Sequence, residues 1–250
     1  MTQPTEASSS RTANSHAHHG AAAGAATLSA QVYEQLRDDI VSCELAPGSR
    51  LTLDMLGERY QVGMTPLREA LYRLSASQLI LGEDRRGFRV APATLAHHDD
   101  ILITRLHVEP LVLRGAFDAG DISWEAQILG SLHRLRSTAM YEADTRTIRP
   151  QWEIAHREFH LSVLSGAPLR TLLAFQHVLW DHAARYRNLV HVSQLDPAVL
   201  QAEHDQICEA VLVRDVEMAC LLLKRHIEKA GESVRDGLRR QEISEHDATD

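Results

Sequence analysis

Two histidines stand four residues apart in the hexapeptide AHREFH, residues 155–160. Positions i and i+4 of a helix lie one above the other on the same face, so His156 and His160 can present two imidazole nitrogens to one point. Imidazole is the commonest protein ligand for metals, and the chemistry this spacing suggests is the holding of a transition-metal ion. Hydrolysis at such an ion needs more. In the helical pattern H-E-x-x-H, the glutamate directly after the first histidine is the general base. Here Arg157 takes that place, and Glu158 lies roughly 200° around the helix from His156. Glu158 points away from the histidine face, and the peptidase pattern fails on geometry.

Two more histidines belong with this pair. His156 and His160 share a face with Trp152, Phe159 and Val163. His204 falls in the stripe Leu200, His204, Ile207, Val211, and His226 in the stripe Val216, Ala219, Leu223, His226, Ala230. All four sit on the inward faces of three helices that must pack together, and facing side chains are how sites in helical bundles are built. A single inward histidine is ordinarily satisfied by a hydrogen bond. The pattern therefore leaves two readings open, a metal site or a polar core.

The elements that must position these residues run from about Leu95 to Leu238. No strand alternation appears there, and apolar residues recur at three- and four-residue intervals. Breaks fall at Gly120-Asp121, Arg149-Pro150, Gly166 to Pro168 and Asp196-Pro197, giving about six helices in an all-α bundle over residues 97–236. The stretch APATLAHHDD, residues 91–100, reads as a linker, and residues 237–250 as a polar tail.

Ahead of the bundle, residues 28–93 read as a winged helix-turn-helix domain. Val32, Leu36 and Ile40 mark a first helix over Leu28 to Cys43. Leu53 to Tyr60 is a short second helix with Leu53 and Leu56 inward. Thr65 is positioned as an N-cap and Pro66 as the first residue of a third helix bearing Leu67, Leu71 and Leu74 on one side. Then LILGEDRRGFRV reads as two short strands around a basic turn at Arg85, Arg86 and Gly87. The fold class is thus mainly α, a winged helix-turn-helix followed by an all-α helical bundle. Residues 1–27, rich in Ser, Thr, Ala and Gly with His16, His18 and His19, read as a disordered tail.

A turn followed by a helix with Arg68 near its start suits entry into the DNA major groove, where the first residues of the second helix meet base edges and phosphates. Thr65 can donate to a phosphate, Arg68 can fork onto guanine or clamp a phosphate, and Arg86 at the wing can reach the backbone or minor groove. The same pattern also suits an amphipathic protein-contact helix. With a net charge of −8, bulk attraction to nucleic acid is not advertised, so any DNA surface is a local patch. Three widely spaced cysteines without a C-x-x-C pair argue against a disulfide framework. The apolar stretches are too short to span a bilayer and the N-terminus has no secretory core, which reads as a cytoplasmic protein with no membrane partner.

PGSRLTLDMLGERYQVGMTPLREALYRLSASQLI, with RRGFRV after it, resembles the DNA-binding domain of GntR-family bacterial regulators. The matching positions are Pro47, Gly48, Leu51, Leu56, Val62, Thr65, Pro66, Arg68, Glu69, Ala70, Leu71 and Gly87. Gly63 stands where that family usually has serine, and Met64 where it usually has a base-reading arginine, so Met64 offers an apolar contact such as to a thymine methyl. Residues 97–232 resemble the all-helical FCD domain of the FadR-type branch: Arg105 and Glu109 match its R-x-x-x-E, His156, Phe159 and His160 its D-x-x-F-H, His204 with Ile207, Ala210 and Val211 its H-x-x-I-x-x-A-I, and His226 its last histidine.

What the resemblance implies is a ligand-responsive transcription regulator, a repressor, that binds double-stranded operator DNA as a homodimer, with the bundle as its ligand-binding domain. In metal-binding members an aspartate and three histidines hold a divalent ion, often zinc, beside a pocket for a small organic acid. His156 replaces the aspartate here, giving four imidazoles that favour Zn, Ni or Co over Mn or Mg. Arg105 would meet a small carboxylate effector, or serve as the structural partner of Glu109 at i+4. Two other classes remain open: a metal-dependent hydrolase, and a sensor of the ion itself.

Overall fold

Apolar residues at helical spacing dominate the chain, and the computed structural model buries them in two adjoining cores. Residues 27–83, 87–145, 147–190 and 196–247 are described. The N-terminal core is built by α1 (Leu28–Val41), α2 (Leu53–Tyr60) and α3 (Met64–Ala76) against three short strands. Val32, Leu36, Ile40, Leu56, Leu67, Leu71 and Leu74 fill it, as the helical spacing predicts. Thr27 caps α1 by accepting from the Ala30 amide, and Thr52 caps α2 by accepting from Met55. Gln61 ends α2 in the left-handed region at φ 53°, which turns the chain toward α3.

Three details differ from the sequence reading. Helix α3 starts at Met64 with Gly63 as its N-cap, so Thr65 is not the cap and Pro66 is the third helical residue. The amides of the first turn have no partner within the helix, and proline there removes a donor that would be unpaired anyway. The wing has a third strand, β1 (Arg50–Leu51), pairing antiparallel with β3 (Gly87–Val90), which also pairs with β2 (Ile80–Glu83). Leu51 lies opposite Phe88, and Gly87 opens β3 at φ 99°, where an added Cβ would stand 3.1 Å from the Leu51 carbonyl. Arg85 and Arg86 lie outside the described residues.

The linker is also shorter than the composition suggests. Helix α4 (Leu95–Ala119) begins at once after Thr94, whose hydroxyl accepts from the His97 amide, leaving four residues between wing and bundle. Then follow α5 (Ile122–Arg136), α6 (Pro150–Leu164), α7 (Arg170–Leu189), α8 (Pro197–Leu212) and α9 (Val216–Asp247). The segment read as a polar tail continues α9 as far as Asp247. Asp121 and Asp196 cap α5 and α8, the latter with Pro197 at its first position. Val112, Ile128, Phe159, Ile207, Val211 and Leu223 make the bundle core. No helix among the described residues is long and apolar enough to cross a membrane.

Candidate metal centre and its surroundings

Helix α6 presents His156 and His160 from successive turns, α8 presents His204, and α9 presents His226. One nitrogen from each lies within 4.8 Å of all the others, and all four residues are buried. His160 Nε2 is 3.0 Å from His156 Nε2 and 3.3 Å from His204 Nε2. Tetrahedral ligands about 2.0–2.1 Å from a shared zinc ion would stand about 3.3–3.4 Å apart, close to these spacings.

Burial disfavours the charged imidazolium and pushes His156, His160 and His204 well below the usual histidine range. Repulsion from the neighbouring rings and from Arg187 adds to it, with Arg105 acting on His160 as well. Neutral rings have one lone-pair nitrogen each. Converging Nε2 atoms cannot all satisfy one another, since one N–H serves one neighbouring lone pair. The Nδ1 of His156 is buried with no hydrogen-bond partner at all. A divalent cation is the group that satisfies several converging lone pairs at once, so the donor set fits a metal ion. Glu203 strengthens the fit: its Oε2 accepts from His226 Nδ1 at 3.0 Å, fixing the tautomer that leaves Nε2 for ligation. Lys229 holds the other oxygen of Glu203 at 2.5 Å.

Beside the histidines is a cavity of about 20 Å³, lined by Arg105, Trp152, Trp180, Arg187 and Ile227 among others. Arg105 reaches it from α4, with its Nε donating to Glu109 Oε1 at 2.6 Å. Arg187 reaches it from α7, pairing with Glu153. Both guanidiniums lie against Trp180, 5.6 and 4.9 Å from its ring centre. Sequence spacing misses Arg187, Trp180 and Glu203. Glu203 adjoins His204 in the chain, a signal that was available; Arg187 and Trp180 carry none.

Helix α7 also reaches the winged domain. His182 Nε2 donates to the Ser77 carbonyl at the end of α3 at 2.8 Å, and Asn188 Nδ2 donates to the Val41 carbonyl at the end of α1 at 2.9 Å. Arg185, fully buried, donates to the Ala91 and Pro92 carbonyls in the connection at 3.1 and 3.2 Å. One helix therefore touches both the cavity and the DNA-binding domain.

The residues expected to meet DNA gather elsewhere. Met64, Thr65 and Arg68 are exposed on the first two turns of α3, and Gly87 is exposed at the start of the wing strand. No side chain caps the α3 N-terminus. Arg86 is not among the described residues.

Comparison with known proteins gives this arrangement its family. Residues 28–90 match the family described as "Bacterial regulatory proteins, gntR family", and residues 91–229 match "FCD domain". The chain is 35% identical over 209 residues to the "Uncharacterized HTH-type transcriptional regulator BphR" of Paraburkholderia xenovorans strain LB400, covering 81% of this chain and 83% of that protein. It is 32% identical over 199 residues to the "HTH-type transcriptional repressor GlaR" of Escherichia coli strain K12, covering 78% and 90%. Among solved structures, E. coli McbR/YncC shares the fold with a TM-score of 0.70 at 20% identity, over 85% of this chain and 99% of that chain. The chain belongs to the GntR family of bacterial regulatory proteins, FadR-type branch: it is a DNA-binding transcription regulator with a C-terminal FCD effector-binding domain.

Proposed function

We propose that the bundle holds one divalent transition metal, zinc foremost with Ni or Co as alternatives, on His156, His160, His204 and His226. The observation carrying this is the convergence of four buried imidazole nitrogens within 4.8 Å. When bound, the ion supplies a positive centre for an anionic effector. Arg105, on the cavity wall, would hold a carboxylate of a small organic acid there. Because the cavity is only about 20 Å³, ligand entry requires the helices that wall it, α7 among them, to part. Helix α7 carries that shift to the winged domain through His182, Arg185 and Asn188, a coupling between two distinct sites.

At the DNA, Arg68 and Thr65 would contact bases and phosphates from the head of α3, Met64 would offer an apolar contact, and Gly87 with Arg86 would place the wing. A homodimer on a palindromic operator fits this design, since two heads at fixed spacing gain by effective concentration over a single head. Repression is the sense of the response that we propose, supported by the relative from E. coli K12 whose name is that of a repressor. A hydrolase would need a carboxylate base at the ion, and Glu203, the carboxylate bonded to a ligand ring, is engaged by His226 and Lys229.

Native mass spectrometry, with thermal melting in zinc and in chelator, tests the proposal. One ion per chain is expected, and saturation a thousandfold above the dissociation constant stabilises by about 4 kcal/mol. His160→Ala should abolish both effects. A protein without stoichiometric metal that melts identically in zinc and in chelator would refute the site.

A further inference from the structure

The charged side chains that line the cavity, or that hold a ligand histidine as Glu203 holds His226, are paired one to one. Arg105 pairs with Glu109, Arg187 with Glu153, and Lys229 with Glu203. Three cations thus meet three carboxylates, and the four ligand rings must be neutral to bind a metal. The protein's own contribution to the site is therefore balanced. A divalent ion would bring two positive charges with nothing on the protein left to offset them. Uncompensated charge in an enclosed, partly apolar site is strongly disfavoured. A monocarboxylate would offset half of it, and a dicarboxylate all of it.

The cavity wall also holds donors for a second carboxylate. Arg187 is 6% exposed, and its Nε has no hydrogen-bond partner. Arg105 spends its Nε on Glu109, and its two terminal nitrogens have no hydrogen-bond partner among the described residues. Between them, Trp152, Trp180 and Ile227 give an apolar wall suited to methylene carbons. We propose that the metal-loaded site selects a small dianionic acid, a short dicarboxylate, over a monocarboxylate of the same chain length, with Arg187 as the second anion-holding residue. This rests on the metal reading above. Each extra unit of ligand charge within several ångström of the ion gains more than about tenfold in affinity at an effective dielectric near 20.

The test uses full-length protein loaded with zinc, its stoichiometry verified by native mass spectrometry before any acid is added. Calorimetry then compares matched pairs: malonate with propionate, succinate with butyrate, glutarate with pentanoate. At least one dicarboxylate should bind tenfold or more tightly than its partner. His156→Asp adds a negative charge among the ligands and should shrink that ratio severalfold. Glu109→Gln removes one from the shell with little change of shape and should widen it. Equal affinities within every pair, no binding of any of the six acids, or a ratio unmoved by both variants would overturn the inference while leaving the metal site standing. Failure to load zinc overturns the metal reading and this inference together, and the mass spectrum shows that before the acids are tried.

Discussion

Arg105 and Glu109 offer the sharpest separation of a structural role from a ligand-binding one. Glu109 is completely buried and Arg105 is 7% exposed, and their contact at 2.6 Å is a hydrogen-bonded ion pair within α4. The second oxygen of Glu109 is buried without a partner, so the carboxylate already lacks one hydrogen bond. Arg105→Ala would strand it. Removing one member of a buried pair costs about 3–5 kcal/mol, because the surviving charge stays desolvated and unpaired. For a chain of this size each kcal/mol lowers the melting temperature by about 2–4 °C, so a fall of roughly 10 °C is expected. The double variant Arg105→Met, Glu109→Leu removes both charges with similar volume and should recover most of that loss. It should not recover parental acid binding to the zinc-loaded protein, because of the two guanidiniums on the cavity wall only that of Arg187 remains. Calorimetric melting of the three proteins, with a carboxylate titration of the double variant, decides the matter. Melting of Arg105→Ala within about 1 °C of the parent would refute the reasoning about the pair, and a double variant that still binds acids with parental affinity would refute the ligand role.

At the DNA surface, Arg68→Ala should weaken operator binding by about 1–3 kcal/mol and relax specificity at one position if Arg68 forks onto a base, whereas a phosphate contact gives uniform weakening and a salt slope smaller by about one. Unchanged affinity in gel-shift titrations would remove Arg68 from the interface. Acid sensitivity follows from His182, which burial above all holds down to about 4 from the usual 6.5, with Arg185 and His97 helping against the opposing bond to Ser77. Below pH 6.5 the unfolded chain takes up a proton that the folded protein refuses, so stability falls as the pH drops toward 4. Between pH 7 and pH 5 this one group accounts for a loss of about 2 kcal/mol. His182→Gln keeps a donor for the Ser77 carbonyl and should reduce the acid loss in urea titrations by that amount; an identical loss in the variant would exclude His182 as a source.

Much of the bundle was legible because periodicity reports which face of a helix turns inward. The histidines of α6, α8 and α9 sit in apolar stripes, and the packing that buries those stripes also brings the rings together. Helix α2 keeps the bounds the sequence predicts, Leu53 to Tyr60, since Thr52 caps it and Gln61 turns it off. Helix α7 is the opposite case. It buries Gln176, Asp181, His182, Arg185 and Arg187, so its inward residues are as polar as an exposed face, and periodicity gives no sign of what they touch. Partners supplied by residues far away in the chain, such as Ser77 for His182 or Glu153 for Arg187, leave no local spacing to read. The two-residue strand β1 was missed for a related reason: it exists only because β3 lies beside it.

The bonds from α7 to Ser77, Val41, Ala91 and Pro92 also bear on how freely such regulators exchange parts. Three of these four carbonyls lie at the ends of α1 and α3 or one residue past the wing, where the winged domain has no further turn of its own to satisfy them. A head grafted onto a foreign bundle would keep its reading helix but lose the donors that close its rear surface. Working hybrids should then need His182, Arg185 and Asn188 transplanted along with the head, so the natural cutting point for recombination lies at the C-terminal end of α7, after Asn188, rather than in the short connection after the wing.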